Sequence, residues 1–399
     1  LTPAQRRLLA LLSVATFFEG FDFLALSQIL PSLAAEFGLA PSELGGVVAI
    51  CNVGTLLSWG LVRLADRVGR RPVLAATIVG YTLATLATGL APNLWLFVLA
   101  QLCARTFLLA EWGLSMVYAA EEFPADRRGL ALGAVQTASS LGSIVCAALV
   151  PGLTAAMGWR SVFFVGVIPL VLLAFARSSL PETRRFTDRD QAAPRGLSAV
   201  LSPPWRTRVL QLGFVWAATY ACTQTSIAFW KEFAIHERHL DDAAVGLALT
   251  VASLGALPLL ASAGRVLDRI GRRTGAAAIY LLLILGVVGS YTLHGQWPLT
   301  FALAFGIFGS SAVLLPLNAW STELFPTELR SEAYGVANYL LGRTAYVLAP
   351  LLAAVAAERI GWGPAVAATT IGPAIALVAI LAWLPETGRR ELEDTARTP

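Results

Sequence analysis

Hydropathy along this chain rises and falls twelve times, each long apolar run separated from the next by a short charged or turn-rich connection. The runs cover approximately residues 8–33, 44–64, 73–91, 95–119, 129–157, 161–180, 207–233, 243–263, 274–293, 298–321, 331–357 and 362–384. A helix needs about 20 apolar residues to cross a hydrocarbon layer, and each run is near or above that length. The connections carry Arg, Gly and Pro, as helix ends require. The pattern predicts an all-α membrane protein with twelve transmembrane helices. An even number of crossings puts both ends of the chain on one side.

Charge decides which side. With both ends in the cytoplasm, 23 of the 29 basic residues fall in inner segments. The outer loops hold only Arg160, Lys231, Arg238 and Arg359, while Arg105 and Arg343 lie inside runs. Such a bias fixes orientation by the positive-inside rule. Composition agrees with a multi-pass membrane protein: 56% hydrophobic, 14% charged, mean hydropathy +0.68. The net charge of +4 is no nucleic-acid footprint, because the positive residues sort by membrane side. Cys51, Cys103, Cys146 and Cys222 fall inside spans and imply no disulfide framework. There is no N-glycosylation sequon, and no cleavable signal peptide is expected. His236, His239 and His294 lie in expected outer loops without metal-ligand partners. No metal cluster, nucleophile triad or phosphate loop appears, so an enzyme is not expected, nor a cofactor.

The two halves of the chain repeat each other. Val62-Arg-Leu-Ala-Asp-Arg-Val-Gly-Arg-Arg71 returns as Gly264-Arg-Val-Leu-Asp-Arg-Ile-Gly-Arg-Arg273, and Glu121-Glu-Phe-Pro-Ala-Asp-Arg-Arg128 returns as Glu323-Leu-Phe-Pro-Thr-Glu-Leu-Arg330, each 202 residues later. Gly158-Trp159 matches Gly361-Trp362, and Leu180-Pro-Glu-Thr matches Leu384-Pro-Glu-Thr at nearly the same offset. The longest inner loop, Pro181 to Arg206, reads as a linker. The expected organisation is a six-helix bundle over 1–186, a cytoplasmic linker over 187–206 and a second six-helix bundle over 207–399. Parallel repeats of this kind place a binding site between the halves near mid-membrane, with alternating access by rocking.

The doubled Asp66-Arg-Val-Gly-Arg-Arg71 and Asp268-Arg-Ile-Gly-Arg-Arg273 motif resembles the inner-loop signature of the major facilitator superfamily, and the resemblance covers the whole chain. Val62 stands where that signature usually has Gly, whereas Gly264 keeps it. The fifth span lacks the Gly-Pro pattern of proton antiporters, which leans towards a symporter or facilitator. The absence of a large outer loop after the first span points to a bacterial protein. Glu19-Gly-Phe-Asp22 resembles the Asp-Gly-x-Asp pattern of aromatic-acid:proton symporters, with Glu19 a departure that keeps the charge. The Pro-Glu-Thr ends resemble the wider group of sugar, organic-anion and synaptic-vesicle-type carriers.

Candidate chemistry concentrates on charges inside spans. Glu19 and Asp22 lie near the middle of the first run, where a charge costs roughly 2.5–3.5 kcal/mol to insert, so a polar pathway is the default reading. Three-residue spacing puts both on one helical face. Arg105 in the fourth span stays protonated and needs an anionic partner, a carbonyl cage or water, with Asp22 or Glu19 expected; freed when that acid is protonated, it is also a candidate substrate-binding residue. Glu111, six residues on, points about 240° round the helix from Arg105. A carboxyl shielded from water can take up and release protons, and the order of preference for the proton site is Asp22, Glu111, Glu19. A fixed salt bridge or helix contact is the bland alternative for each.

Arg343 in the eleventh span has no deep carboxylate in its own half: Glu232, Glu237, Asp241 and Asp242 fall in expected outer loops, and Asp268, Glu323 and Glu332 at inner ends. An anionic substrate would satisfy it by bidentate hydrogen bonds, the alternative being a reach to Glu19 or Asp22. Trp216, Tyr220, Asn318, Asn338, Tyr339 and Tyr346 surround it in the spans, with Gln136 the repeat-mate of Asn338. Aromatic faces with a few donors suit a flat ring bearing a carboxylate. Each aromatic taken singly is expected to be a packing or interface-belt residue, Trp205, Trp230 and Trp297 among them, rather than a ligand contact. At the inner ends, Asp66, Arg70, Arg71, Glu121, Arg128, Asp268, Arg272, Glu323 and Arg330 are candidate latches, ion pairs that break when the halves rock.

The expectation is a proton-coupled importer of a small organic anion, an aromatic or heterocyclic monocarboxylate, acting as a monomer in a bacterial inner membrane. Its partners would be the anion, protons and the lipid bilayer, with no nucleic acid. A sugar or polyol symporter, a multidrug exporter and a sensor that binds without translocating are the alternatives.

Overall fold

The computed structural model describes residues 2–123, 125–177 and 197–387. Among these there are helices and no strands. The first six long helices are α1 (Pro3–Phe37), α2 (Pro41–Val68), α3 (Arg70–Gly89), α4 (Leu94–Glu122), α5 (Ala125–Met157) and α6 (Arg160–Arg177). After a short turn of helix come α7 (Trp205–Ala228), α8 (Asp242–Ile270) and α9 (Arg272–Thr292). The last three expected spans are each interrupted. Gln296–Ala312 continues as Leu314–Glu323, Thr327–Tyr334 runs through a π-helix at Gly335–Gly342 into Thr344–Ile360, and Trp362–Ala368 precedes Ile371–Trp383.

Ten described helices are long and apolar enough to cross a membrane, rather than the twelve expected. The sixth expected span extends past Arg177, out of the described residues. The seventh, α7, is diluted by a buried polar run, Thr219, Thr223, Gln224, Thr225 and Ser226, which makes it an interior-facing helix rather than a uniformly apolar one. Large apolar side chains stand exposed along the others, among them Leu83, Leu285, Phe301, Leu352 and Val378, each above 60%. Exposed rows of this kind are stable where the solvent is lipid.

The helices form two compact units, one of Leu1–Leu39 with Ile50–Ala192, the other of Ala40–Ala49 with Ala193–Pro399. In the first, α1 and α5 approach until their backbones touch. A Cβ on Gly20 would overlap the Ser139 carbonyl, and one on Gly142 would overlap that of Phe17. Small residues allow such contact in membrane helices, where packing and polar bonds, not water exclusion, hold helices together. Two hydroxyls bridge the crossing, Ser143 Oγ to the Gly20 carbonyl at 2.8 Å and Thr16 Oγ1 to that of Val135 at 3.1 Å. Packed against α4 and α6, α3 forms the other side of this unit.

The repeated Asp-Arg-x-Gly-Arg-Arg motif makes the same turn twice. Gly69 (φ 108°) starts α3 and Gly271 (φ 93°) starts α9, both in a region closed to side chains with a Cβ. In the second unit Glu386, from the Pro-Glu-Thr that closes the last helix, accepts the Arg272 and Arg273 N–H groups at 2.7 and 2.9 Å. A carboxylate there satisfies two of the unpaired donors that open every helix and complements its dipole.

At the other end of that unit, residues expected in outer loops are folded inward. Lys231 and Glu232 belong to the short helix Trp230–His236 and are each 2% exposed. Lys231 Nζ pairs with Asp242 at 2.7 Å, and Glu232 meets His236 Nε2 at 3.1 Å. Glu237 accepts the Trp362 and Gly363 N–H groups at the start of the last span. Trp230 is buried, its Nε1 bonded to the Ser290 carbonyl at 3.3 Å, so it is a packing residue and not part of an interface belt. The cause is a second helix start: the chain turns at Phe229, and a new helical turn buries Trp230, Lys231, Glu232, Phe233 and Ala234 in the bundle.

Candidate functional site

Buried charge inside the spans stands on α1 and α4 in the first unit and at Arg343 in the second. In the first, the tight α1–α5 crossing sets the positions of the two acids. Glu19 is 8% exposed and accepts from Ser139 Oγ on α5 at 2.7 Å. Asp22 turns to α3, where Tyr81 Oη donates to it through a short hydrogen bond and Thr85 Oγ1 lies at 3.5 Å. The shared face expected from three-residue spacing thus divides between two neighbours. Three residues turn a helix about 300°, and the remaining 60° is enough to aim the acids at different helices. Arg105 of α4 is 3% exposed, within electrostatic reach of Asp22, with its guanidinium 5.1 Å from the Phe23 ring.

Glu111, also on α4, occupies a separate position. It is 2% exposed and accepts from Thr77 Oγ1 at 2.9 Å and Ser115 Oγ at 3.0 Å. Thr77, Tyr81 and Thr85 recur every four residues and so line one edge of α3. That edge serves both acids, Thr77 reaching Glu111 and the other two reaching Asp22. These hydroxyls were not among the sequence candidates; their four-residue spacing is readable in the sequence, but the acids they face are not.

In the second unit the cluster surrounds Arg343, 5% exposed, at the end of the π-helix. Its Cζ lies 4.4 Å from the Tyr339 ring centre and 5.8 Å from that of Tyr346. Nε donates to Asn338 Oδ1 at 3.4 Å, and Nη1 is buried with no hydrogen-bond partner among the described residues. No acidic residue among those described pairs with this guanidinium. Asn338 also accepts from Tyr220 Oη at 3.3 Å and donates to Tyr334 Oη at 3.0 Å, so both ends of its amide are engaged.

The aromatic residues form a continuous wall. Tyr220 stands edge-on to Tyr346 at 4.5 Å and packs on Trp216 at 5.1 Å, and Trp216 meets Tyr334 at 6.3 Å. Trp216 Nε1 is anchored to Ser321 Oγ at 3.1 Å. Gly342 makes room for it, since a Cβ there would lie 2.8 Å from that of Trp216. Tyr334 is the member that sequence reading missed. Asn318 is half-buried on the tenth span, and Gln136 is exposed on α5 in the first unit.

Of the inner-end residues, Arg272 Nη2 meets Glu323 Oε1 at 3.5 Å, and Arg330 Nη2 donates to the Phe325 carbonyl at 3.4 Å, both within the second unit. Arg70 is buried and Arg71 exposed at the start of α3. The side chains of Asp66, Glu121, Arg128 and Asp268 lie outside those described. Among the described residues no group of three or more His, Cys, Asp or Glu could hold a metal ion.

Comparison with known proteins places this arrangement in a large group. The Major Facilitator Superfamily model matches residues 12–338 and 217–399. A "Probable 4-methylmuconolactone transporter" of Cupriavidus pinatubonensis is 27% identical over 334 residues, 82% of this chain and 78% of that protein. The 3-(3-hydroxy-phenyl)propionate transporter of Escherichia coli is 27% identical, covering 84% of this chain and 83% of its own length. Among solved structures, a D-xylose-proton symporter superposes with a TM-score of 0.77 at 18% identity, over 96% of this chain and 99% of the other, a likeness of fold.

Proposed function

The chain belongs to the major facilitator superfamily, a multi-pass membrane carrier and not an enzyme, and from that premise we propose that it imports a small organic anion together with protons. The cargo is an aromatic or heterocyclic monocarboxylate, moved by alternating access across a bacterial inner membrane, with both chain ends in the cytoplasm. The observation that carries this reading is Arg343. A guanidinium stays charged at any accessible pH, and a buried one without a protein acid is well completed by an anion. Here it lies among tyrosine rings with Nη1 unbonded. Those rings, with Trp216 and Tyr220 behind them, suit the flat body of a substrate whose carboxylate meets the cation. Relatives named for 4-methylmuconolactone and 3-(3-hydroxy-phenyl)propionate support that cargo class.

The first unit supplies the coupling. Asp22 takes up and releases the proton, held by Tyr81 and Thr85 when charged and countered by Arg105. Glu19 and Glu111, each bonded to hydroxyls, are secondary proton sites. Gln136 and Asn318 are further substrate contacts, and the Arg272–Glu323 pair belongs to the inner latch with the remaining motif residues. The energy source is the proton gradient, and no cofactor takes part.

The test is uptake of labelled organic acids into proteoliposomes under an imposed pH gradient. Wild-type protein accumulates an aromatic monocarboxylate against its gradient. Arg343→Ala abolishes uptake, while Asp22→Asn keeps counterflow exchange and loses accumulation. Concentrative uptake by Asp22→Asn would remove Asp22 from the coupling role, and accumulation of a neutral sugar in place of the acids would overturn the cargo.

A further inference from the structure

The π-helix gives Arg343 a geometry that an α-helix would deny it. Residues five apart in an α-helix point about 140° away from each other. In the π-helix the hydrogen-bonded ring closes one residue later, and here the Arg343 N–H reaches the Asn338 carbonyl at 3.0 Å. That turn brings the two side chains onto one side of the helix, so that Arg343 Nε meets Asn338 Oδ1. The amide is itself held from both ends, by Tyr220 Oη on its oxygen and by Tyr334 Oη on its nitrogen. Asn338 is 2% exposed, with its Oδ1 accepting two hydrogen bonds and its Nδ2 donating one within the protein.

A guanidinium presents two flat faces and a rim of five N–H donors. Tyr339 takes a face, Asn338 takes Nε, and Nη1 is left buried and unbonded. The side fork that would use Nε is therefore occupied, while the end formed by the two Nη groups makes no hydrogen bond among the described residues and has the geometry for a bidentate carboxylate. We propose that Asn338 is a positioning residue rather than a substrate contact: through the π-turn it fixes Arg343 so that the substrate carboxylate docks end-on against the two Nη groups. Asn338 thereby sets the preference for a carboxylate over its neutral amide. This inference rests on Arg343 being the anion site.

Replacing Asn338 by Asp is nearly isosteric and puts a protein carboxylate on Nε, neutralising Arg343 from within. The probes are 3-(3-hydroxyphenyl)propionate and its uncharged amide, titrated calorimetrically into the purified full-length protein, with monodispersity and melting temperature recorded for every variant. Wild-type protein binds the acid at least tenfold tighter than the amide. Asn338→Asp loses tenfold or more in affinity for the acid and keeps or gains affinity for the amide. Tyr334→Phe, which frees the amide nitrogen while leaving Arg343 its other neighbours, loses two- to fivefold on the acid alone.

An unchanged acid-to-amide ratio in a well-folded Asn338→Asp protein overturns the positioning role. If both probes weaken equally in Asn338→Asp and in Tyr334→Phe, Asn338 is a packing residue and the proposal falls. The underlying reading fails separately: acid affinity that survives Arg343→Ala removes the anion site itself, whatever Asn338 does.

Discussion

Gly142→Ala tests the claim that backbone contact between α1 and α5 sets the acid cluster. The new Cβ would lie 2.8 Å from the Phe17 carbonyl carbon and 2.9 Å from the Phe21 nitrogen, besides overlapping the Phe17 oxygen. Carbon atoms in ordinary contact stand 3.5–4.0 Å apart, and the overlap with the Phe17 oxygen is deeper still, so the helices must separate locally by more than about 1 Å. Overpacking of this kind costs about 1–3 kcal/mol. The same movement stretches the 2.7 Å bond from Ser139 to Glu19 and the 2.8 Å bond from Ser143 to the Gly20 carbonyl. For a unit of this size each kcal/mol lowers the melting temperature by about 2–4 °C, so a fall of roughly 2–12 °C is expected. Gly133 and Gly152 lie on the same helix with nothing within 4 Å of a Cβ. Alanine at either should be neutral or stabilise by up to about 1 kcal/mol through helix propensity. The assay is thermal unfolding in detergent, followed by intrinsic fluorescence, with uptake measured in parallel. A Gly142→Ala protein that melts with the wild type and with the Gly152→Ala control would refute the close-contact argument.

Tyr81→Phe removes the hydroxyl that donates to Asp22. Because a hydrogen bond to a charged group is worth about 1.5–3 kcal/mol, gradient-driven accumulation should fall several-fold while counterflow exchange persists. Glu386→Gln weakens the anionic cap on the first turn of α9. The expected loss is about 0.5–2 kcal/mol, read as a lower melting temperature that added salt does little to restore. Glu36→Gln breaks the pair with Arg160, both partners being more than a third exposed. Its effect should stay within about 1 kcal/mol and shrink further in high salt.

The architecture announced itself in the hydropathy of the chain because a membrane helix must satisfy its backbone internally and cover it with apolar side chains. The doubled motif likewise carried its geometry, since Gly69 and Gly271 mark the same left-handed turn by residue type alone. Arg343 stood out as a charge in an apolar run, and the structure puts it among the aromatic residues named with it. Other features depend on neighbours that no local pattern specifies. The π-turn arises from one extra residue in a helix whose hydropathy is unremarked, so the engagement of Asn338 by Arg343 could not be inferred from α-helical spacing. Asp22 and Glu19 part company because α3 and α5 flank α1, a packing fact invisible in their three-residue separation. Lys231 and Glu232 looked like loop charges, yet Lys231 is buried against Asp242 and Glu232 against His236. Charge near a span end does not reveal whether the chain folds back into the bundle.

The central claim is that the Arg343 guanidinium receives a substrate carboxylate. The most direct measurement is calorimetric titration of wild-type and Arg343→Ala protein, both shown to be monodisperse, with the aromatic monocarboxylate that the wild type accumulates. Removing one partner of a buried charge pair costs roughly 2–5 kcal/mol, so the variant should bind about 30-fold more weakly or worse. Affinity within threefold of wild type would contradict the account.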